Sequence, residues 1–385
     1  MFPYYPISLY KRNKIENVPD FNLLYNTGNG LCNQIFSLIT GIIKCSVEKK
    51  FYCIIDSFNC CIEKGNIIQI DKIINLERTT NNLNKITGLE NIQLFDRTDF
   101  KIELIDAHYG IDEIRKINVK NKFNNKFINT INNMNNFFGN DPYPGIEKYL
   151  YAKYMINGKI FTNKFDENCF KFYELFNNDY ILNDLFINKQ DDFSWYNRFN
   201  QDLFSLILRN IRFTDGFYEI IDKIKNNHKI NDKLNVIHFR LEQDAINHWS
   251  IQNKMTTQNY SQILCNKYET LINNYIKSNE KIYVLSADEN YVIDRFSQNS
   301  CYEFIYTSLK TKNDYLMEYY GSTGRELCGI IDLLIGINLS KLFIGCHSFK
   351  LSRGSSFSYV VSKNIICRKI LIDLDNINNL EEIYD

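Results

Sequence analysis

The chain carries no excess of either charge, with 45 Lys and Arg against 45 Asp and Glu over 385 residues. That removes the overall basic footprint of a nucleic-acid binder, although a local basic groove stays open. No apolar run reaches the length needed to span a bilayer. The opening "MFPYYPISLYKRNK" lacks the long apolar stretch of a secretory signal, so the expectation is a cytoplasmic protein with no membrane span. No two of the 11 cysteines stand at Cys-x-x-Cys spacing, which removes a common zinc signature. Their odd number and scatter read as reduced thiols, many of them in the core. Proline is scarce, at 5, among abundant Asn, Ile and Lys, and that bias weakens local propensity signals.

What is present is globular. Apolar residues make up 44% and aromatics 15%, enough for a packed core in a chain long enough for two domains. "FNLLYNT" reads as a strand entering a glycine turn. Ile35, Leu38, Ile39, Ile42 and Ile43 then share one helical face, and "FYCIIDSF" reads as a buried strand. This strand-helix-strand unit is the building block of an α/β domain. Residues 110–200 are Asn-rich and read as an insertion, or long helices with loops, without catalytic residues. Helices follow in "DLFSLILRNIRFTDGFYEIIDKIK". Strand-helix alternation resumes with "LNVIHFR", "KIYVLSAD", "YEFIYTS" and "KLFIG", and "SYVVSK" belongs to a final helix. Thr323 and Glu326 have capping-box spacing ahead of a helix carrying Leu327, Ile330, Leu334 and Ile337. Two α/β halves are expected, 1–230 and 231–385.

Four places carry chemistry. "NTGNGLCNQIF" has Gly28-x-Gly30 after a strand, with Asp56 ending the next one, as in a dinucleotide fingerprint. The third glycine is absent. Asn33 stands there and, with Gln34, puts two amides at a helix N-terminus, as a hydroxyl-binding site needs. A plain helix cap is the alternative. In "VIHFRLEQD", His238 and Arg240 are two apart at a strand's C-terminal end, where open α/β sheets bind ligands. Arg240 offers a planar fork suited to phosphate, Phe239 points into a core, and Glu242 and Asp244 follow on the loop. An ordinary ion-pair cluster is the alternative. "RGSSFS" places Ser355 and Ser356 ahead of a helix, a combination suited to a diphosphate or to a simple cap. Asp288 follows the strand "KIYVLSA", as a ribose or guanine contact or as a loop cap.

In this order, "GNGLCNQIF", "HFRLEQD" and "SSFS" resemble the fucosyltransferase superfamily. That family includes the protein O-fucosyltransferases and the α1,2- and α1,6-fucosyltransferases. The resemblance covers residues ~24 to 56 and ~234 to 362 and leaves the middle of the chain unmatched. It implies a GT-B-like fold, two Rossmann-like domains facing each other across a cleft, with GDP-fucose held mainly by the second. It implies Gly28 and Gly30 in the turn and Arg240 on the donor diphosphate and the leaving oxygen. His238 would lie beside the nucleotide, with Ser355, Ser356 and Phe357 along the diphosphate and guanosine. Asp288 or Asp332 would meet the nucleoside, and Asn33 would face the sugar and acceptor. Arg353 is a further diphosphate candidate. The implied reaction is inverting transfer of fucose from GDP-fucose to a glycan or protein hydroxyl, with Glu242 or Asp244 as base, no cofactor and no metal. Two other readings stay open: an NAD-dependent oxidoreductase built on Gly28, Gly30 and Asp56, and an inactive glycan-binding protein of the same fold.

Overall fold

A computed structural model describes residues 21–24, 30–47, 52–55, 58–61, 66–96, 102–112, 114–123, 134–139, 141–156, 159–166, 201–298, 301–347 and 355–383. Gly28, Asp56 and Arg353 lie outside these residues.

The first unit follows the apolar spacing. Strand β1 (Phe21–Leu24) leads to helix α1 (Leu31–Val47) and strand β2 (Tyr52–Ile55). Ile35, Leu38, Ile39, Ile42 and Ile43 of α1 are all buried. A short antiparallel pair, β3 (Phe58–Cys61) and β4 (Asn66–Ile68), precedes helix α2 (Leu76–Leu83) and strand β5 (Gln93–Asp96). The order β1-β2-β5 forms a parallel sheet, with Phe21 opposite Tyr52 and Tyr52 opposite Gln93.

The middle of the chain corrects the expectation of helices and loops. Strands β6 (Ile102–Gly110), β7 (Lys116–Asn118), β8 (Tyr149–Ile156) and β9 (Lys159–Asp166) make an antiparallel sheet in the order β7-β6-β8-β9. A 3-10 turn (Lys120–Phe123) and the short helix α3 (Met134–Phe138) are described among them. The cause is a period of two: Leu150, Ala152 and Tyr154 are buried while Tyr149, Tyr151 and Lys153 face outward. Helices α4 (Gln201–Asn210) and α5 (Asp215–Asn227) then lead to the second half.

That half runs β10 (Leu234–His238), α6 (Gln243–Gln252), α7 (Thr257–Tyr275), β11 (Lys281–Leu285), α8 (Glu289–Phe296) and β12 (Glu303–Ile305). It continues with α9 (Leu309–Tyr320), α10 (Arg325–Leu339), β13 (Ser340–His347), α11 (Ser356–Asn364), β14 (Arg368–Asp373) and β15 (Leu380–Ile383). The sheet order is β12-β11-β10-β13-β14-β15, parallel except for β15. All five residues of β10 are buried because helices cover both faces. On one face Phe239, Tyr268, Phe296 and Ile344 share a core with α6 and α7. On the other, α10 and α11 join a core that continues into α1, α4 and α5.

Side chains tie the two halves together. Gly324, at the start of α10, lies under the Cys60 carbonyl, where any Cβ would come within 2.2 Å of the oxygen. The expected capping box does not form: Gly324 is the N-cap, without a side-chain bond. Glu326 turns instead to α1 and accepts the Leu31 N–H at 2.5 Å. A buried long-range acceptor has displaced a local one, because it satisfies an orphan amide of another helix. No helix among the described residues is long and apolar enough to cross a membrane.

Candidate functional site

The sheet order reverses between β10 and β13, two neighbouring strands whose helices pack on opposite faces. The carboxyl ends of such strands flank the crevice where doubly wound sheets take ligands. His238 ends β10 and His347 ends β13, and α11 begins a few residues beyond.

His238 points to the α11 side. Its Nδ1 lies 2.7 Å from the Ser358 hydroxyl, and its ring packs on Phe357 with centroids 4.7 Å apart. Burial, reinforced by the neighbouring Arg240 charge, pulls its pKa down to about 3, so the imidazole is neutral. Ser358 also accepts the Cys346 amide at 3.1 Å, binding the ends of β10 and β13 to the first turn of α11. Phe239 faces the opposite core, against Tyr268 and Phe296.

Arg240 follows the end of the strand. Its side chain is 26% exposed, so the guanidinium reaches solvent from a partly buried base. One nitrogen is 2.9 Å from Glu242 and another 3.5 Å from Asp244. The first contact is one of charge, since that Glu242 oxygen has no aligned hydrogen-bond donor. Burial opposes the guanidinium charge, but the two carboxylates more than offset it and hold the pKa above its ordinary value. The other Glu242 oxygen accepts the Ala287 amide at 3.3 Å, whereas Asp244 is 71% exposed.

Ser355 is the N-cap of α11 and accepts from the Ser358 amide at 3.4 Å. Ser356 and Phe357 occupy the first turn. The N-terminus of α1 comes to the same place, for the Cys32 thiol bonds the Ser356 hydroxyl and lies in the field of the Glu326 carboxylate. Burial, then Glu326, pushes that thiol up to about 12, so Cys32 is inert packing. Gly30 starts α1 by accepting the Asn33 amide at 2.9 Å. The buried Asn33 Oδ1 has no hydrogen-bond partner, whereas the Gln34 amide is paired with both backbone groups of Asn59, at 3.0 and 2.9 Å. The sequence grouped these two amides, but only Asn33 has unused capacity.

The two nucleoside candidates stand apart from each other. Asp288 is exposed at the carboxyl end of β11 and caps α8 by accepting the Tyr291 amide at 3.2 Å. Asp332 lies within the helix layer, held by the Lys312 ammonium at 2.8 Å, and Lys312 also reaches Glu289 at 2.9 Å. Burial raises the Asp332 pKa to about 6 even so.

Sequence reasoning passed over Ser358, Tyr268 and Lys312, and read Glu326 only as a helix cap. Ser358 stood inside a quoted motif, but its partner is 120 residues away. A separate cavity of about 390 Å³ lies between the end of α5 and the start of α9. Its polar groups bond one another, Asn227 to Tyr315 at 2.6 Å and His228 to Thr307 at 3.3 Å, and no Arg, Lys, Asp or Glu lines it.

No protein-family model matches the chain, and no curated protein matches it. Among the solved structures that resemble it are fucosyltransferases. NodZ α-1,6-fucosyltransferase soaked with GDP-fucose has 15% identity and a TM-score of 0.33 over 49% of this chain and 55% of its own. The fucosyltransferase NodZ from Bradyrhizobium gives 15% and 0.31 over 49% and 54%. POFUT1 in complex with GDP-fucose gives 9% and 0.43 over 90% and 94%. The chain thus spans about half the length of the NodZ structures it matches. At these identities and TM-scores the functional reading rests on the side chains described above and not on the likeness.

Proposed function

We propose that this chain is a glycosyltransferase that moves fucose from GDP-fucose to a hydroxyl of a glycan or protein. The observation that carries the reading is Arg240, a part-exposed guanidinium at the sheet's switch point, beside a neutral imidazole and a serine-capped helix N-terminus. A diphosphate needs this chemistry: a planar cationic fork and the N–H groups of a helix N-terminus. In this reading residues 231–385 hold the donor and 1–230 the acceptor side, facing each other across a cleft.

The reaction breaks the bond between the sugar C1 and the diphosphate oxygen, and the acceptor oxygen bonds C1 from the opposite face. Negative charge grows on GDP as it leaves. Arg240, Ser355, Ser356 and the α11 N-terminus meet that charge, a kind of stabilisation whose loss costs about 3–4 kcal/mol per donor removed. His238 and Phe357 wall the nucleotide, and Asp288 stands at the rim for the nucleoside. The proton leaves the acceptor to a carboxylate, and Asp244, exposed and 3.5 Å from Arg240, is more available than Glu242, which lies 2.9 Å from Arg240 and accepts the Ala287 amide. The unused Asn33 Oδ1 accepts from a sugar or acceptor hydroxyl.

The dinucleotide alternative meets an obstacle. Its diphosphate belongs at the N-terminus of α1, where the Glu326 carboxylate already accepts the Leu31 amide. Arg240→Ala tests the proposal. GDP release from GDP-fucose should fall by at least 100-fold in protein that still folds, and near wild-type release would remove Arg240 from the donor site.

A further inference from the structure

We propose that Tyr268 is a positioning residue that fixes Arg240 for the donor through the main chain, an inference that rests on the GDP-sugar reading above. The hydroxyl of Tyr268 is fully buried and works on both sides of Phe239. It donates to the His238 carbonyl at 2.9 Å and accepts the Arg240 amide at 3.3 Å. The β10 ladder ends immediately before this point, with the Phe239 amide donating to Leu285 at 2.9 Å. Among the described residues no strand pairing continues beyond Phe239, and a side chain from the middle of α7 holds the backbone there. The Cys346 thiol lies beside the same hydroxyl. Cys346 in turn donates its amide to Ser358, which contacts the His238 ring. The result is a closed circuit of contacts running through Tyr268, His238, Ser358 and Cys346. It locks the carboxyl ends of β10 and β13 at the point where the guanidinium emerges.

The ring of Tyr268 packs on Phe239 with centroids 4.7 Å apart, and a phenylalanine would keep that contact. The hydroxyl alone acts on the backbone, so Tyr268→Phe removes the clamp and keeps the core. Tyr260, on the same helix, supplies the control. It is also fully buried, but its hydroxyl has no hydrogen-bond partner, so Tyr260→Phe removes an equal group that holds nothing.

Both variants and the wild type are titrated with GDP by calorimetry, and amide exchange is followed at Arg240. Displacing a positioned group by about 1 Å can cost on the order of 100-fold in function. Tyr268→Phe should therefore weaken GDP binding by about 10-fold or more and speed exchange at Arg240, while Tyr260→Phe stays within about twofold of wild type on both. A purely structural role would lower the melting temperature of Tyr268→Phe and leave the GDP affinity of the folded protein unchanged. That result, or unchanged exchange at Arg240, overturns the clamp. Wild-type protein that binds no GDP overturns the donor reading itself, and the role assigned to Tyr268 falls with it.

Discussion

Lys312→Met should destabilise the protein by about 3–5 kcal/mol at neutral pH, the cost of removing one partner of a buried ion cluster. Lys312 is 2% exposed and stands between Glu289, 12% exposed, and Asp332, 14% exposed. Burial opposes its charge, but the two carboxylates hold the ammonium above its ordinary value. Asp332 is worse served, because burial outweighs the lysine and raises its pKa from 3.8 to about 6. Methionine would fill the space of the aliphatic stem and leave two carboxylates facing each other out of water. Protonating Asp332 offers relief. The folded variant then holds that proton to still higher pH while the unfolded chain releases it near 3.8, so the penalty grows as pH rises through the folded value. Urea denaturation at about pH 5 and about pH 8 measures it. The loss should be larger at the higher pH, and Asp332→Asn, which leaves Lys312 paired with Glu289, should cost much less than Lys312→Met at either. A loss below about 1 kcal/mol, or a larger loss at the lower pH, would refute the reasoning.

Other outcomes follow from the same contacts. His238 is held down to about 3 by burial and then by Arg240, against an ordinary 6.5, so the unfolded chain binds the extra proton between those values. Stability should fall as pH drops from about 6 to about 4, by up to about 1.4 kcal/mol per pH unit for this group. His238→Asn should flatten that fall, read from denaturant midpoints across the range. His347, lowered to about 4 by burial and Lys363, acts in the same sense and should remain in the variant. Glu326→Ala strips the Leu31 amide of its buried acceptor and should cost about 1–3 kcal/mol, while Glu326→Gln, which keeps an oxygen there, should cost less. Gly324→Ala drives a methyl to 2.2 Å from a backbone oxygen that cannot swing aside. Its thermal melt should show a loss larger than the ~1 kcal/mol typical of a point change.

The local structure around the candidate site was legible where it follows local rules. Alternation through His238, Phe239 and Arg240 sends Phe239 to the opposite core, although the strand itself ends at His238. Ser355 ahead of "SYVVSK" predicts a capped helix, and α11 has that cap. The apolar face of α1 was equally plain. What was not legible depends on partners far along the chain. Thr323 and Glu326 satisfy a local cap pattern, but the carboxylate finds a better-buried donor 295 residues away. The resemblance alone put Asp332 by the nucleoside, and nothing in helical spacing reveals Lys312, 20 residues earlier and 2.8 Å from it. Tyr268 is one of several aromatics on an amphipathic helix, and only the fold brings its hydroxyl to Arg240. The sheet of β6 to β9 was hidden by composition: asparagine and lysine between the strands blur the alternation that "YLYAKYMI" carries on its own.

The central claim is that a GDP-sugar binds at the carboxyl ends of β10 and β13 through Arg240. Calorimetric titration of wild-type and Arg240→Ala protein with GDP, GDP-fucose, UDP and NAD tests it most directly. The wild type should bind GDP and GDP-fucose, folded Arg240→Ala protein should bind neither, and NAD should not bind. Binding of NAD without GDP, or equal GDP affinity in the two proteins, would contradict it.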